Sequence, residues 1–249
     1  MSVDYRLSDG VALITINRPE KMNAMDQATY DALSEAWIEV RDNKNVRAAV
    51  ITGAGDRAFC AGADLKSGVS QFEDMGEFWE TQRSQLLNRG LEVWKPVVAA
   101  VNGYCLGGGM TLMLATDIRV ASESAQFGVP EVPRGLLPGN GGTQRILEQL
   151  PYAIGMEMLL LGEKFDAHTA LKWGLVNSVV PQEQVLDSAL EYAGRLAELP
   201  TLAAQAAKEM ALRSRDMDRS TGFRMEMTML RMLYQTKDSQ AAKTAFASR

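Results

Sequence analysis

The segment Val101-Asn102-Gly103-Tyr104-Cys105-Leu106-Gly107-Gly108-Gly109 determines the fold that the sequence predicts. It follows a short apolar run that is typical of a buried strand, and a helix is expected to begin near Gly108. Glycines at the start of a helix leave backbone N–H groups unpaired, with the positive end of the helix dipole behind them. The segment therefore predicts a strand, a loop and a helix N-terminus that can bind a negatively charged oxygen.

Upstream of this segment, short apolar runs alternate with stretches of helical periodicity. Asp9-Gly10 has the composition of a tight hairpin turn, and Asp26 can cap the helix that follows it. Apolar strands that are separated by helices favour an α/β fold with largely parallel strands. The predicted strands comprise residues 5–7, 11–16, 48–51, 96–101 and 117–120, and the second predicted helix comprises residues 72–91.

Downstream of about residue 142 the pattern becomes helical throughout. The sequence therefore predicts an α/β core followed by an all-helical C-terminal third. The methionine-rich last helix is expected to pack on the core or on a neighbouring subunit. The predicted helices comprise residues 142–150, 152–161, 167–173, 184–199, 201–212 and 217–234.

The composition excludes several classes of function. The formal net charge of −5 gives no basic surface for nucleic acid. No apolar run approaches the roughly 18 residues of a membrane span, and the N-terminus lacks the features of a signal peptide. With two cysteines and one histidine, His168, neither a metal site nor a Ser-His triad is expected. A cytoplasmic protein without a membrane or nucleic-acid partner fits these features.

A second glycine-rich region has two interpretations. Gly53-Ala54-Gly55-Asp56-Arg57-Ala58 matches a dinucleotide-binding pattern, but that pattern requires a helix to begin within the glycines. Residues 59–64 make a poor helix start, so NAD binding is not expected. Residues 59–66 instead predict a tight turn with exposed backbone amides. Two N–H donors from separate loops would suit a developing oxyanion, although a purely structural glycine turn remains open.

Four segments in the same order resemble the enoyl-CoA hydratase/isomerase (crotonase) superfamily, and the match is collinear from about residue 5 to 248. They are Phe59-Cys60-Ala61-Gly62-Ala63-Asp64-Leu65-Lys66, the Val101–Gly109 segment, Asp117-Ile118-Arg119-Val120-Ala121, and Phe127-Gly128-Val129-Pro130-Glu131 through Gly141-Gly142-Thr143-Gln144-Arg145. Several spaced motifs in order are more specific than any single glycine loop.

The resemblance implies a crotonase-like spiral of ββα units over residues 1–195. It also implies a helical region over residues 196–249 that packs on the core and on neighbouring subunits, in a homotrimer or a hexamer (a dimer of trimers). The substrate would be an acyl-CoA thioester, with no cofactor besides the coenzyme A that the substrate carries. Residues 67–89, which include Phe72, Met75, Phe78 and Trp79, are expected to shape the acyl pocket.

The resemblance also assigns roles to individual residues. It places an oxyanion hole at the backbone N–H groups of Ala63 and Gly108, and an acid/base at Glu131. Coenzyme A would lie along the first motif and beside the Arg18-Pro19-Glu20-Lys21 stretch. The substrate-binding residues implied in this way are Lys21, Met22, Ala24, Ala61, Asp64, Leu65 and Lys66.

Two positions depart from the hydratase pattern. Hydratases of this family use a second carboxylate two residues after the triple glycine, where this chain has Thr111. A threonine hydroxyl does not act as a general base near neutral pH, but it can hold a water or a substrate hydroxyl. Asn140 lies where dienoyl-CoA isomerases carry an acid. It either forms a turn or orients a water, and both interpretations stay open.

The leading hypothesis is an enoyl-CoA hydratase/isomerase-type lyase or isomerase with Glu131 as its single acid/base. A single carboxylate favours double-bond isomerisation or an atypical hydration over hydration by two glutamates. An acyl-CoA decarboxylase or C–C lyase on the same scaffold is the enzymatic alternative. A catalytically degenerate acyl-CoA-binding protein is the non-enzymatic one.

Overall fold

A computed structural model describes residues 1–67 and 85–247 of the chain. The predicted acyl-pocket residues Phe72, Met75, Phe78 and Trp79 lie outside this range, as does most of the helix predicted at 72–91. The described end of that prediction is wrong, because residues 85–91 form turns. Gly90 has a φ of +88°, which a right-handed helix cannot accommodate.

The central sheet has six strands in the order β1-β2-β3-β5-β7-β10. β1 and β2 form the predicted hairpin, in which Asp9 and Gly10 both have positive φ, and the remaining neighbours pair in parallel. The α/β prediction is therefore confirmed. The strands of this sheet are β1 Val3–Ser8, β2 Val11–Ile16, β3 Ala48–Gly53, β5 Val97–Val101, β7 Ile118–Ser122 and β10 Ser178–Val180.

A second, smaller sheet lies beside the first, in the order β4-β6-β8-β9. Its first three strands are parallel, and each follows a strand of the central sheet after a short turn. This repeat places three loops at one end of the small sheet, and those loops carry the site described below. Its strands are β4 Ala58–Cys60, β6 Tyr104–Leu106, β8 Gln126–Gly128 and β9 Phe165–Asp166.

The described residues form nine α-helices. The first begins at Asp26, whose carboxylate accepts a hydrogen bond from the backbone N–H of Thr29 at 2.9 Å, as predicted for an N-cap. Its predicted apolar face, which includes Leu33 and Trp37, is buried. The helices are α1 Gln27–Asp42, α2 Gly108–Leu114, α3 Gly142–Gln149, α4 Tyr152–Leu161, α5 Ala167–Lys172, α6 Val185–Glu198, α7 Thr201–Arg213, α8 Arg219–Tyr234 and α9 Lys237–Ala247.

The prediction of an all-helical C-terminal third is wrong at two places. β9 joins the small sheet, and β10 forms an edge of the central sheet beside β7. Strands of two and three residues are too short to show a periodicity, so their pairing partners specify them. The domain boundary predicted at residue 195 falls inside α6.

Both faces of the central sheet are covered, which explains why its inner strands β3 and β5 lack polar alternation. Val50 of β3 packs in a cluster with Ala189 of α6 on one face. Its neighbour Ile51 belongs to the larger core on the other face, together with Trp37 of α1. Successive side chains of a strand point to opposite faces, so α6 and α1 enclose the sheet between them.

The helices at the C-terminus contribute little to this core. No residue of α8 is buried, and its apolar side chains Phe223, Met227 and Met232 are exposed. Packing of this helix on a neighbouring subunit stays a prediction. Across residues 1–67 and 85–247, no helix combines the length and the apolar character that a membrane crossing requires.

Candidate active site

The first of the two predicted oxyanion donors lies in the turn after β4. Met25 donates its N–H to Gly62 O at 2.8 Å, and Asp64 donates its N–H to Met25 O at 2.9 Å. These two bonds form a parallel bridge between Met25 and Ala63. In a parallel bridge of this kind the N–H of the central residue points away from its partner strand. The N–H of Ala63 is therefore directed away from Met25 and is free to meet a ligand.

The second predicted donor lies at the start of α2. Gly107 has φ +53° and ψ −120°, a conformation that requires glycine, and its N–H donates to Gly128 O at 2.9 Å. This turn directs the chain into α2 with Gly108 as the first helical residue. A residue at that position has no intrahelical acceptor for its N–H, so the donor is available to a ligand.

The structure brings these two amides side by side. A Cβ built on Gly108 would lie 3.6 Å from the nitrogen of Ala63. A Cβ built on Gly62 would lie 3.1 Å from the nitrogen of Gly108. The absence of side chains at Gly62 and Gly108 therefore allows the two loops to approach closely. Two adjacent N–H donors from separate loops are the arrangement that an oxyanion requires.

Glu131 lies against the same turn. It follows β8 and begins a short 3-10 turn, Val132–Arg134. Its Oε1 is 3.0 Å from the position that a Cβ on Gly107 would occupy. Its Oε2 is buried and has no hydrogen-bond partner within the described part of the chain. Burial raises the pKa of the Glu131 carboxyl, although the nearby Arg134 opposes this shift. A carboxyl whose pKa is raised holds a proton more readily, which suits a group that must both accept and return one.

Thr111 occupies the position of the missing carboxylate, one helical turn after Gly108. It is 1% exposed, and its hydroxyl donates to Gly108 O at 3.0 Å. The same hydroxyl accepts a hydrogen bond from Asn88 Nδ2 at 3.1 Å. The Thr111 methyl is directed at Gly142, where a Cβ would lie only 2.7 Å away. Thr111 is thus a fixed, neutral group whose hydroxyl is already bonded on both sides.

Asn88 lies within the stretch 67–89 that was expected to shape the acyl pocket, but it was not singled out from the sequence as a site residue. It belongs to the turn of residues 87–90 and is 5% exposed. Its only sequence signal is that it is a polar residue between buried leucines, Leu87 and Leu91. The contact with Thr111 is what connects it to the site.

The structure also brings together the two segments predicted to bind coenzyme A. Ala61 donates its N–H to Met22 O at 3.1 Å, so the first motif runs beside residues 21–25. Arg18 joins the segments through ion pairs with Asp64 at 3.1 Å and Asp26 at 3.0 Å. The Asp64 side chain therefore has a structural partner. The remaining predicted residues are Lys21, Leu65 and Lys66, which are exposed, and Ala24, which is half-buried.

A buried asparagine that the sequence did not reveal fixes this loop. Asn23 is fully buried with a φ of +54°, and its Nδ2 donates to Ala54 O at 3.0 Å and to Ala58 O at 2.6 Å. Its Oδ1 accepts the N–H of Arg18 at 2.9 Å. The side chain therefore attaches the residue 18–25 loop to the start of β4.

Asn140 is exposed and has a φ of +54°, a left-handed conformation that asparagine tolerates better than most residues. This geometry accounts for asparagine as a turn former, and a role in orienting water stays a prediction. Gly53 ends β3 and Gly55 lies in the bend that leads to β4, so the helix that a dinucleotide site requires does not follow them.

The other titratable candidates are His168, Cys60 and Cys105. His168 is exposed on α5. Cys60 and Cys105 are buried thiols, and burial raises the pKa of Cys60 to about 12. Among the described residues, no group of three His, Cys, Asp or Glu side chains is placed to hold a metal ion.

Comparisons with known proteins identify relatives of the whole chain. A model of the enoyl-CoA hydratase/isomerase family matches residues 6–249. The chain is 38% identical to (E)-benzylidenesuccinyl-CoA hydratase of Thauera aromatica, over 100% of this chain and 97% of that protein. It is 41% identical to carnitinyl-CoA dehydratase of Salmonella arizonae, over 90% of this chain and 86% of that protein.

Solved structures of enoyl-CoA hydratases also match the chain. Enoyl-CoA hydratase from Mycobacterium tuberculosis H37Rv superposes with a TM-score of 0.90 at 35% identity, covering 100% of this chain and 96% of that one. The corresponding protein from Geobacillus kaustophilus HTA426 has a TM-score of 0.92 at 34% identity, covering 100% and 95%. The chain belongs to the enoyl-CoA hydratase/isomerase family of acyl-CoA-processing enzymes. The crotonase-like fold predicted from the sequence is thereby confirmed.

Proposed function

We propose that this enzyme adds water reversibly to a 2-enoyl-CoA thioester, with Glu131 as its single acid/base. The observation that carries the proposal is the position of the Glu131 carboxylate, which lies against Gly107 with a buried, unpaired oxygen. The hydratase and dehydratase activities named for the two relatives support this reaction class.

The backbone N–H groups of Ala63 and Gly108 bind the thioester oxygen in this proposal. When an oxygen nucleophile adds to Cβ, the electron pair of the double bond moves toward that oxygen and generates an enolate. The two donors lie where they can stabilise this charge, because each loop presents an N–H without an internal acceptor. The loss of one such donor typically costs about 2.7–4 kcal/mol of transition-state stabilisation.

One carboxylate is enough to balance the protons. The water oxygen forms a bond to Cβ while its proton passes to the Glu131 carboxylate. The resulting carboxylic acid then delivers that proton to Cα as the enolate returns to the thioester. A pKa that burial has raised suits this double role, since the group must be a base in one step and an acid in the next.

Double-bond isomerisation is the second candidate, and the neutral Thr111–Asn88 pair favours it. In that reaction Glu131 removes a proton from Cα of the 3-enoyl thioester to form a dienolate and returns it to Cγ, so no second carboxylate is required. The oxyanion hole and Glu131 have the same roles in both reactions. The substrate panel below separates the two reactions.

We also infer that coenzyme A lies along residues 61–66 and beside residues 21–24, where the exposed Lys21 and Lys66 can meet its phosphates. No cofactor beyond this coenzyme A is part of the proposal. The exposed apolar residues of α8 support association with neighbouring subunits, which we propose to be a homotrimer or hexamer. A cytoplasmic location stays a prediction. A light-scattering mass equal to one chain would contradict that assembly.

The test measures turnover of crotonyl-CoA, (E)-benzylidenesuccinyl-CoA, carnitinyl-CoA and a 3-enoyl-CoA that matches crotonyl-CoA in length. Hydration removes the absorbance of a conjugated enoyl thioester, whereas dehydration and isomerisation create it. Glu131→Gln should lower the rate at least about 100-fold. Glu123→Gln, which changes an exposed carboxylate away from the site, should leave the rate unchanged.

Each other result selects a different function. Absorbance gained only from the 3-enoyl substrate would identify an isomerase. Release of CO₂ or of a shorter acyl-CoA would identify a decarboxylase or C–C lyase. Binding of all thioesters without turnover, unaffected by Glu131→Gln, would identify a degenerate acyl-CoA-binding protein.

A further inference from the structure

Asn88 presents a buried acceptor oxygen that no group in the described part of the chain satisfies. We propose that this oxygen accepts a hydrogen bond from the water that adds to the substrate Cβ, and from the β-hydroxyl in the reverse reaction. The inference rests on the proposed function and deepens it, because it assigns the group that orients the nucleophile.

The direction of the Asn88 amide follows from the hydrogen bonds of Thr111. The Thr111 hydroxyl has one hydrogen, and it donates that hydrogen to Gly108 O at 3.0 Å. Asn88 must therefore approach the hydroxyl with its NH₂ group, at 3.1 Å, and its Oδ1 points elsewhere. Buried carbonyl oxygens are almost always hydrogen-bonded in folded proteins. An unpaired one beside an active site indicates a partner that arrives with the substrate.

The location of this oxygen supports that interpretation. Thr111, which holds Asn88, is in the same helical turn as Gly107 and Gly108. Glu131, with the other orphaned oxygen, contacts that turn at Gly107. The two unpaired acceptors are therefore attached to the same five residues, 107–111, that also supply an oxyanion donor.

Two other buried acceptors lack a partner among the described residues: the hydroxyl of Tyr5, which lies on the edge strand β1 of the central sheet, and Gln149 Oε1. The Gln149 amide donates to Leu114 O at 2.9 Å, at the opposite end of α2 from Gly108. It therefore lies away from the oxyanion turn, and Asn88 is the better candidate.

Asn88 and Glu131 have different roles toward the same water molecule. A water has two hydrogens, and one can be donated to Asn88 Oδ1 while the other is donated to the Glu131 carboxylate. A lone pair of the oxygen then attacks Cβ. The amide of Asn88 does not take up a proton near neutral pH, so the proton passes to Glu131 alone. Asn88 orients the water, and the atoms and charges balance without a second carboxylate.

The test compares two reactions of the same enzyme. Hydration of an enoyl-CoA requires the water, whereas exchange of the α-protons of butyryl-CoA with D₂O requires only Glu131 and the oxyanion hole. Asn88→Leu keeps the side-chain size and removes the amide. It should lower the hydration rate about 100-fold, because a misplacement of a reacting group by about 1 Å can cost that factor. The rate of α-proton exchange should stay within about threefold.

Two further variants complete the test, one as a second probe of Asn88 and one as a control. Thr111→Val removes the hydroxyl that fixes the amide but keeps the shape of the side chain, so it should slow hydration more than exchange even if Asn88→Leu does not fold. Asn45→Leu makes the same change as Asn88→Leu at an exposed position and should alter neither reaction.

The outcomes are distinguishable. If α-proton exchange is absent in the unmodified enzyme, the proposed function itself fails. If exchange occurs but hydration is equal in the unmodified enzyme and Asn88→Leu, the role of Asn88 is overturned and the function stands. If both reactions fall together, Asn88 only supports the oxyanion turn, and the inference is again overturned.

Discussion

The contact between Gly142 and Thr111 allows a quantitative test of how the site is packed. A Cβ built on Gly142, the first residue of α3, would lie 2.7 Å from Thr111 Cγ2 and 2.8 Å from Pro138 Cβ. Carbon atoms in favourable contact are about 3.5–4.0 Å apart, so an alanine methyl would overlap both neighbours by about 1 Å. Neither neighbour moves easily, because one is a β-branched side chain and the other is a proline ring.

Gly142→Ala should therefore destabilise the protein. Overpacking of this kind costs about 1–3 kcal/mol. For a chain of this size, 1 kcal/mol lowers Tm by about 2–4 °C, so the expected decrease is about 2–12 °C. Hydration should also slow, because a displaced Thr111 no longer holds Asn88. The assay is thermal and urea unfolding at one fixed protein concentration, since an oligomer's midpoint depends on concentration.

A matched control and a double mutant separate this effect from a general response to Gly→Ala. Gly194 lies inside α6, and a Cβ there would meet no atom within 4 Å. Gly194→Ala should stabilise the protein by about 0.5–1 kcal/mol. Thr111→Ser removes the methyl that Gly142→Ala strikes, so the double mutant should recover part of the loss. Pro138 remains in place, so the recovery should be incomplete.

Two results would refute this packing. One is an unfolding midpoint of Gly142→Ala at or above that of the unmodified protein. The other is a penalty for Gly142→Ala that is the same with Thr111 and with Thr111→Ser. Either result would mean that Thr111 does not contact α3 as the structure has it.

Three smaller perturbations test other parts of the molecule. Burial raises the pKa of Glu131, so the stability it contributes falls as the pH rises from its unfolded pKa of about 4.3 toward the folded value. Glu131→Gln should accordingly raise the urea midpoint at pH 7 relative to the unmodified protein, with the gain disappearing below about pH 4. Asp26→Ala removes the N-cap of α1 and should lower the unfolding free energy by about 0.5–2 kcal/mol in urea titrations. Lys95 donates to Val40 O at 2.8 Å and Asn43 O at 2.6 Å. Lys95→Met should therefore lower the free energy of unfolding by about 1–3 kcal/mol, and an unchanged urea midpoint would contradict these hydrogen bonds.

The elements that could be predicted from the sequence are those with local signals. The Asp26 cap and the apolar face of α1 follow from spacing within one helix, and Asp9-Gly10 follows from turn chemistry. β10 could not be predicted, since its three residues pair with a strand more than fifty residues earlier in the chain. The described end of the helix predicted at 72–91 was wrong because Gly90 takes a positive φ.

The residues of the candidate site also differ in whether a local sequence signal predicts them. Gly108 and Glu131 could be predicted because the resemblance rests on glycine motifs, and those glycines are required where two backbones approach closely. Asn88 has no motif around it. Its role depends on a hydrogen bond to Thr111, 23 positions later, and on the one hydrogen of that hydroxyl. Such a relationship exists only in three dimensions.

The presence of Thr111 where hydratases of this family have a second carboxylate is consistent with the proposed role of Glu131 as the single acid/base. Two carboxylates that share a site repel each other, and the repulsion raises the pKa of one of them. In this site, burial is the main cause of the raised pKa of Glu131. In the proposed mechanism, the neutral Thr111–Asn88 pair stands where the second carboxylate would be and adds no charge beside Glu131. Burial of Glu131 therefore favours its protonated form as the proton carrier, and Asn88 orients the water without exchanging a proton.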